Sequence, residues 1–317
     1  LAAQPPAVLL GVLQANLSAG RQRALAAQAP LADRSPAELV QLIETEVLKP
    51  EVVQTWPLFD SLFRRAQVQA EAAALGENVA LQFHSWVNWN FVTSPQSSDP
   101  LKAGIATAIF GSLWVTLLAF FVAIPLGVAA AIYLEEYNTG QSRLDQLIET
   151  NINNLAGVPS IIYGMLGLAV FVRIMGPLTS GVLFGVADPS TANGRTILSA
   201  GLTLGVLILP LVIINAREAI RAVPRAMREG AYGLGATRWQ TTWHHVLPSA
   251  LPGILTGVIL AVSRAFGETA PLIVVGVSTY IVVNPDSLFS KYTTLPAQIY
   301  QWTSRPQQEF QHLAAAA

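Results

Sequence analysis

Between Ala103 and Leu134 the chain carries no charged residue, and a run of that length leaves few ways to fold. About 20 apolar residues in a helix cross the hydrocarbon of a bilayer. A segment in lipid must also satisfy its own backbone, which restricts it to a helix or a closed barrel. Two further uncharged runs, from Thr150 to Val172 and from Thr196 to Ala216, are each just long enough to do the same. A fourth run begins after Pro248 and continues to about Val277, interrupted only by Arg264 and Glu268. Four spans are therefore predicted, and a fifth starts near Phe310. With 52% hydrophobic and 12% charged residues among 317, the fold class predicted is all-α: a polytopic membrane helix bundle with a partly helical extramembrane segment at its N-terminus.

Several function classes are excluded early. A formal net charge of −1, with lysine only at Lys49, Lys102 and Lys291, leaves no basic tract for nucleic acid. Cysteine is absent, which removes disulfides and thiolate metal sites. His244 and His245 are adjacent, about 100° apart on a helix, so they cannot face one ion; His84 and His312 stand alone, and no metal site is expected. No lysine follows a glycine or precedes Ser or Thr, so a Walker A loop is impossible. Any ATP chemistry belongs to another subunit, and this chain is expected to hold no cofactor of its own. An intramembrane enzyme built on Glu268 lacks a histidine in the same span, and no HExxH or GxSxG pattern occurs.

Residues 1 to about 100 have a soluble character. Ser35-Pro36-Ala37-Glu38 combines an N-cap, a proline at the first helical position and a capping-box glutamate, predicting a helix from Pro36 to Leu48. A second helix is predicted from Leu58 to Ala74, followed by a turn-rich stretch through Ser94 to Pro100. Arg217, Arg221, Arg225, Arg228 and Arg238 all fall between the third and fourth spans, which predicts that this loop is cytoplasmic. By parity residues 1–100 form an extracytoplasmic domain, and residues 101–317 form the transmembrane domain, with a cytoplasmic loop over about 216–250. A leucine at the start and four alanines at the end read as a chain cut at both termini.

The 216–250 loop can be read mechanically. Pro224 starts a helix, Arg225 to Tyr232 continues it, and Gly233 and Gly235 allow a left-handed turn or a close backbone approach. Thr237 caps a following helix whose Trp239, Thr242, Trp243 and Val246 recur at helical spacing, before Leu247-Pro248 redirects the chain. On spacing alone a force-transmitting element and an interfacial helix anchored by Trp239 and Trp243 fit equally well. Glu229-Gly230-Ala231, then Gly235, then His245-Val246-Leu247-Pro248 resembles the EAA loop of binding-protein-dependent ABC importer permeases. The departures are Gly230, usually alanine there, and His245, often isoleucine. Ile132 to Tyr137, Asn154 to Gly164 and Gly267-Glu268-Thr269-Ala270-Pro271 resemble the PstA-type permease of phosphate ABC importers.

That resemblance implies six spans in a bacterial inner or plasma membrane. It also implies PstB-like ATPase subunits, a PstC-like second permease and a PstS-like phosphate-binding protein as partners. The coupling residues it implies are Glu229, Gly230, Ala231, Gly235, Leu247 and Pro248. Permeases for sulfate, molybdate or an amino acid share the loop and remain alternatives.

Arg264 and Glu268 stand four apart, so on a helix they share a face and can pair. Charge inside an apolar span is costly and marks a pathway by default, although an ion pair that only fixes helix packing has the same spacing. Arginine suits an oxyanion because its planar fork donates two hydrogen bonds at once. Ser263 and Thr269 complete the predicted pathway set. Asn154, Ser160 and Tyr163 are further pathway candidates in a segment where Gly157, Pro159 and Gly164 predict a kink and close packing.

Overall fold

In the computed structural model the described residues are 5–16, 30, 34–43, 53–76, 80–138, 143–186, 191, 193–278 and 280–317. They form two compact units, Leu1–Gln82 and Phe83–Ala317. No strand occurs among the described residues, and the fold is an all-α polytopic bundle.

In the first unit, α1 (Pro6–Asn16) and α2 (Pro36–Leu42) bury Leu9 and Leu13 against Leu39 and Ile43. The Ser35 capping box is present: Ser35 Oγ accepts from the Glu38 N–H at 3.3 Å, and Glu38 Oε2 accepts from the Ser35 N–H at 2.9 Å. The expected continuation to Leu48 lies outside the described residues. The helix predicted from Leu58 to Ala74 is instead two, α3 (Leu58–Phe63) and α4 (Arg65–Ala74), parted at Arg64 with φ −123° and ψ 34°. The first buries none of its residues and the second buries Val68 and Ala72, so no packing holds the short piece in line with its neighbour. Trp56 Nε1 donates to Glu71 Oε2 at 2.8 Å, and this bond holds the Glu71 carboxyl below its ordinary range.

The second unit begins with α5 (Trp89–Thr93) and α6 (Ala106–Ile132), the latter continuing as a π turn over Tyr133–Tyr137. Next come α7 (Arg143–Ala156), α8 (Ser160–Gly167) with a π extension over Leu168–Ile174, and the short α9 (Gly176–Thr179). The remainder is α10 (Ile197–Arg221), α11 (Arg225–Gly233), α12 (Arg238–Thr241), α13 (Leu247–Gly267), α14 (Ala270–Val275), α15 (Leu295–Thr303) and α16 (Gln308–Ala316).

Three helices among the described residues are long and apolar enough to cross a membrane: Ala106–Tyr137, Ile197–Arg221 and Arg238–Gly267. The middle one is the axis of the unit, with 67% of its most apolar stretch buried against 28% and 33% for the other two. Val115, Ala119 and Ala123 of α6 and Ala261 and Ala265 of α13 share one core with Ala200, Leu204, Ile208 and Val212 of α10. Small residues permit this approach: a Cβ on Gly201 would lie 2.6 Å from Leu118, and one on Gly257 would collide with Asn215.

Three sequence expectations meet a proline, and two of them are corrected. The kink expected in the run from Thr150 to Val172 is a sharp one: Gln146–Ala156 and Ser160–Ile174 meet at 105° and together make a fourth candidate span that is broken rather than straight, because Pro159 disfavours helical backbone at Val158 and supplies no N–H. The fourth span ends at Gly267, not Val277. Pro271 is four residues beyond Gly267, so a continuous helix would leave that carbonyl without a donor and against the proline ring. Leu247-Pro248, by contrast, does not redirect the chain. Ahead of Pro248 the register widens into a π turn over Thr242–Val246, where the Leu247 N–H donates to the Thr242 carbonyl. The helix therefore runs unbroken from Arg238 to Gly267.

Candidate functional site

The charged pair in the apolar helix forms, although not as two residues of one helix. Arg264 lies in the last turn of α13, while Glu268 has left it as the C-cap with φ −78° and ψ 118°. Arg264 Nε donates to Glu268 Oε1 at 3.3 Å, with side chains 45% and 19% exposed. Among the described residues the guanidinium makes no other hydrogen bond. Ser263 is exposed beside it, and Thr269 is half-buried at the start of α14.

The break places two separately read motifs in contact. Gly164 of α8 faces Pro271 of α14, and a Cβ there would sit 2.7 Å from the Pro271 Cα. Tyr163 is buried, and its hydroxyl donates to the Leu155 carbonyl at 2.7 Å, joining the two arms of the bent pair. The hydroxyl of this candidate is thus engaged in holding the bend. Asn154 is exposed at the end of the first arm and Ser160 is half-buried at the start of the second. Tyr292 lies fully buried nearby, donating to the Leu272 carbonyl at 3.3 Å.

The second candidate region is the loop between α10 and α13. Pro224 precedes α11, and Gly235 follows it with φ +84°, a conformation that costs a side-chain-bearing residue about 1–2 kcal/mol. Gly233, expected to share that turn, is still helical. Thr237 caps α12: Gln240 N–H donates to its Oγ1 at 3.3 Å, and Gln240 Oε1 accepts from the Thr237 N–H at 2.9 Å. Trp239 and Trp243 stack on the exposed face with centroids 5.4 Å apart, while Thr242 and Val246 are buried. Glu229 and Gly230 are exposed, Ala231 is buried, Leu247 is half-buried and Pro248 is exposed. Leu234 at the tip is 91% exposed.

Sequence reasoning missed an ion-pair network at this end of the bundle. Glu135 and Glu136, in the π turn that ends α6, meet the arginines that had been read only as an orientation signal. Glu135 accepts from Arg221 Nε and Nη2 at 3.0 and 3.1 Å, and Arg217 stands 3.6 Å away while pairing with Glu149 of α7 at 3.1 Å. Glu136 accepts from Arg228 Nη2 at 2.7 Å. A signal was present: two adjacent glutamates close the first apolar run, and the arginines recur in the loop after the third.

Against this geometry, residues 123–296 match the family described as binding-protein-dependent transport system inner membrane component. The chain is 37% identical over 217 residues to the probable ABC transporter permease protein YqgH of Bacillus subtilis, covering 68% of this chain and 63% of that one. It is 35% identical over 208 residues to the phosphate transport system permease protein PstC of Xylella fastidiosa, covering 62% of this chain and 63% of the relative. Against the phosphate transport system permease protein PstA 1 of Mycobacterium tuberculosis it is 35% identical over 210 residues, 66% of this chain and 62% of the relative. The chain thus spans under two thirds of these relatives' lengths, and the PstA-type and PstC-type relatives match it equally well. With three span-length apolar helices in the bundle and the family match across the charged pair and the loop, this multi-pass membrane protein belongs to the binding-protein-dependent transport system inner membrane component family.

Proposed function

We propose that the chain is a permease subunit of an ATP-driven phosphate importer in the bacterial inner membrane. The observation that carries this reading is Arg264: a guanidinium in an otherwise apolar helix, held by one contact at 3.3 Å, with donors left for an oxyanion. Its pairing with Glu268 lowers the cost of the charge in the bilayer, and an arriving phosphate can compete for the same fork. The names of the PstC-type and PstA-type relatives support phosphate as the cargo. Under this reading residues 1–100 lie outside the cell and the loop of residues 216–250 lies in the cytoplasm.

ATP is hydrolysed by PstB-like partner subunits, which receive α11 with Glu229, Gly230 and Ala231, while Gly235 sets its angle to the continuous helix that carries Leu247 and Pro248. A PstC-like or PstA-like second permease completes the pathway, and a PstS-like protein delivers phosphate. Closure of the ATPases tilts α11 and opens the Arg264 region to alternate sides. Reconstitution tests this directly: phosphate-loaded binding protein is expected to stimulate ATP hydrolysis and phosphate uptake. A transporter indifferent to phosphate-loaded protein but stimulated by the sulfate- or molybdate-loaded form belongs to another solute. A tag inserted near Ala70 should be accessible from outside intact cells, and protection there inverts the topology.

A further inference from the structure

A lever that tilts must be tied to something that moves with it, and a single arginine makes that tie. Arg228 sits one turn into α11, largely buried, with its side chain 17% exposed and that of its partner Glu136 6% exposed. Its Nε and Nη2 donate to Glu136 Oε1 at 3.1 and 2.7 Å, Nη1 donates to the Val223 carbonyl at 2.7 Å, and Nη2 donates also to the Ile220 carbonyl at 2.9 Å. One guanidinium thus binds three elements: the loop helix, the C-terminal end of α10, and the π turn that closes α6. The Ile220 carbonyl belongs to the last turn of α10, where a cation is favoured by the helix dipole, and Val223 lies just past that end. Beside it, Arg221 grips Glu135 through two nitrogens, so adjacent residues of the same π turn hold two arginines. A π turn is a frequent device at functional positions, and here it presents consecutive carboxylates to successive parts of α10 and α11.

We propose that Arg228 and Glu136 are positioning residues that lock α11 to the end of the α6 span, so that displacement of the loop helix is delivered to that span as a rigid-body movement. The inference rests on α11 being the ATPase-docking element. The lock differs from an ordinary surface pair in that its four hydrogen bonds reach two elements other than the helix that carries Arg228, and both side chains are shielded. A fork that planar and that constrained transmits angle as well as position, which a flexible ammonium would not. Arg228 touches neither the substrate nor the ATPase under this assignment; its whole effect passes through Glu136 and the end of α10.

Because this sequence has no cysteine, engineered thiols are unique labels within it, and the partner subunits are used in cysteine-free form. Spin labels at Tyr133→Cys and Ala226→Cys, in the intact transporter in proteoliposomes, are expected to keep one mutual distance with and without a non-hydrolysable ATP analogue. In Glu136→Gln that distance should change on nucleotide binding, and phosphate taken up per ATP hydrolysed should fall about tenfold with the ATPase rate retained, on the scale of one lost charge-assisted contact. Glu136→Asp, which keeps the charge, should recover more than half of the wild-type ratio. A wild-type distance that already changes with nucleotide overturns the lock. So does a Glu136→Gln ratio within a factor of about two of wild type, or a parallel loss of uptake and ATPase activity, which marks a purely structural staple. Crosslinking from Leu234→Cys to the ATPase in the otherwise wild-type complex separates the two levels: its absence refutes docking and the lock together, whereas its presence alongside an unaffected Glu136→Gln refutes the lock alone.

Discussion

Two arginine–glutamate pairs in this molecule have the same chemistry and opposite construction. Arg228–Glu136 is shielded on both sides, with four hydrogen bonds from one guanidinium. Arg264–Glu268 is joined by one contact at 3.3 Å across a helix end, with the arginine 45% exposed within the chain. A buried pair stabilises only when hydrogen bonds replace the lost water, and breaking such a pair costs about 3–5 kcal/mol. The first pair meets that condition and is built to stay closed. The second leaves most of its donors unused among the described residues, which under the proposed function lets it exchange partners with an arriving phosphate.

The comparison breaks most directly at Arg264. Arg264→Ala is expected to lower phosphate uptake by at least about 100-fold, given the strength of bidentate guanidinium–phosphate recognition. The complex should still assemble and hydrolyse ATP, because the pair contributes little packing. Arg264→Lys should fall between the two, since an ammonium keeps the charge without the planar fork. Normal uptake by the alanine variant removes Arg264 from the pathway and makes the loose pair a mere packing feature.

The scaffold beneath that pair supplies the next test. Gly164 lets α8 lie against the Pro271 backbone, and a methyl group there would stand 2.7 Å from Cα. Backbone cannot rotate aside as a side chain can, so Gly164→Ala should destabilise the purified protein by about 1–3 kcal/mol, read as a lower melting temperature in detergent. A Gly164→Ala variant as stable as wild type means that α8 and α14 are not held in register, and the geometry around Glu268 loses its support.

How far the two pairs were legible in the sequence differs for a physical reason. The spacing of Arg264 and Glu268 was visible because both residues interrupt an apolar run, and local charge in such a run stands out. Their separation by a helix end was not anticipated, although Pro271 four residues beyond Gly267 forbids the helix from continuing. The Arg228–Glu136 contact joins residues 92 positions apart, and no local pattern reports a pairing of that range. The capping boxes at Ser35 and Thr237 were readable because a cap is local chemistry. The π turn before Pro248 was not, since one widened register has no compositional mark, and so a continuous helix was mistaken for a bend.

On the lever itself, Gly235 separates conformation from sterics. Its φ is +84° and a Cβ would meet nothing within 4 Å, so any effect of substitution is backbone strain. Gly235→Val should cost about 1–2 kcal/mol, more than Gly235→Asn because asparagine tolerates the left-handed region. Stimulation of ATP hydrolysis by loaded binding protein should decline in the same order. Equal stimulation in all three proteins means the angle set by this turn does not matter, and a rigid connection at Arg228 would then have nothing to transmit.

The smallest expected effect distinguishes a stiff lever from a compliant one. Gly230 lies inside α11 with ordinary helical backbone and open space around the position of a Cβ. Gly230→Ala should therefore stabilise the helix by about 0.5–1 kcal/mol through lower chain entropy, seen as slower amide exchange across residues 225–233. If α11 works as a rigid arm, uptake should hold or rise slightly, because the Arg228 anchor and the Gly235 turn already fix its ends. A variant with a better-protected helix and reduced uptake would show instead that the arm must yield between those ends. The tight pair would then serve as the fixed point about which α11 bends, and the contrast with the loose pair in the span would survive in that altered form.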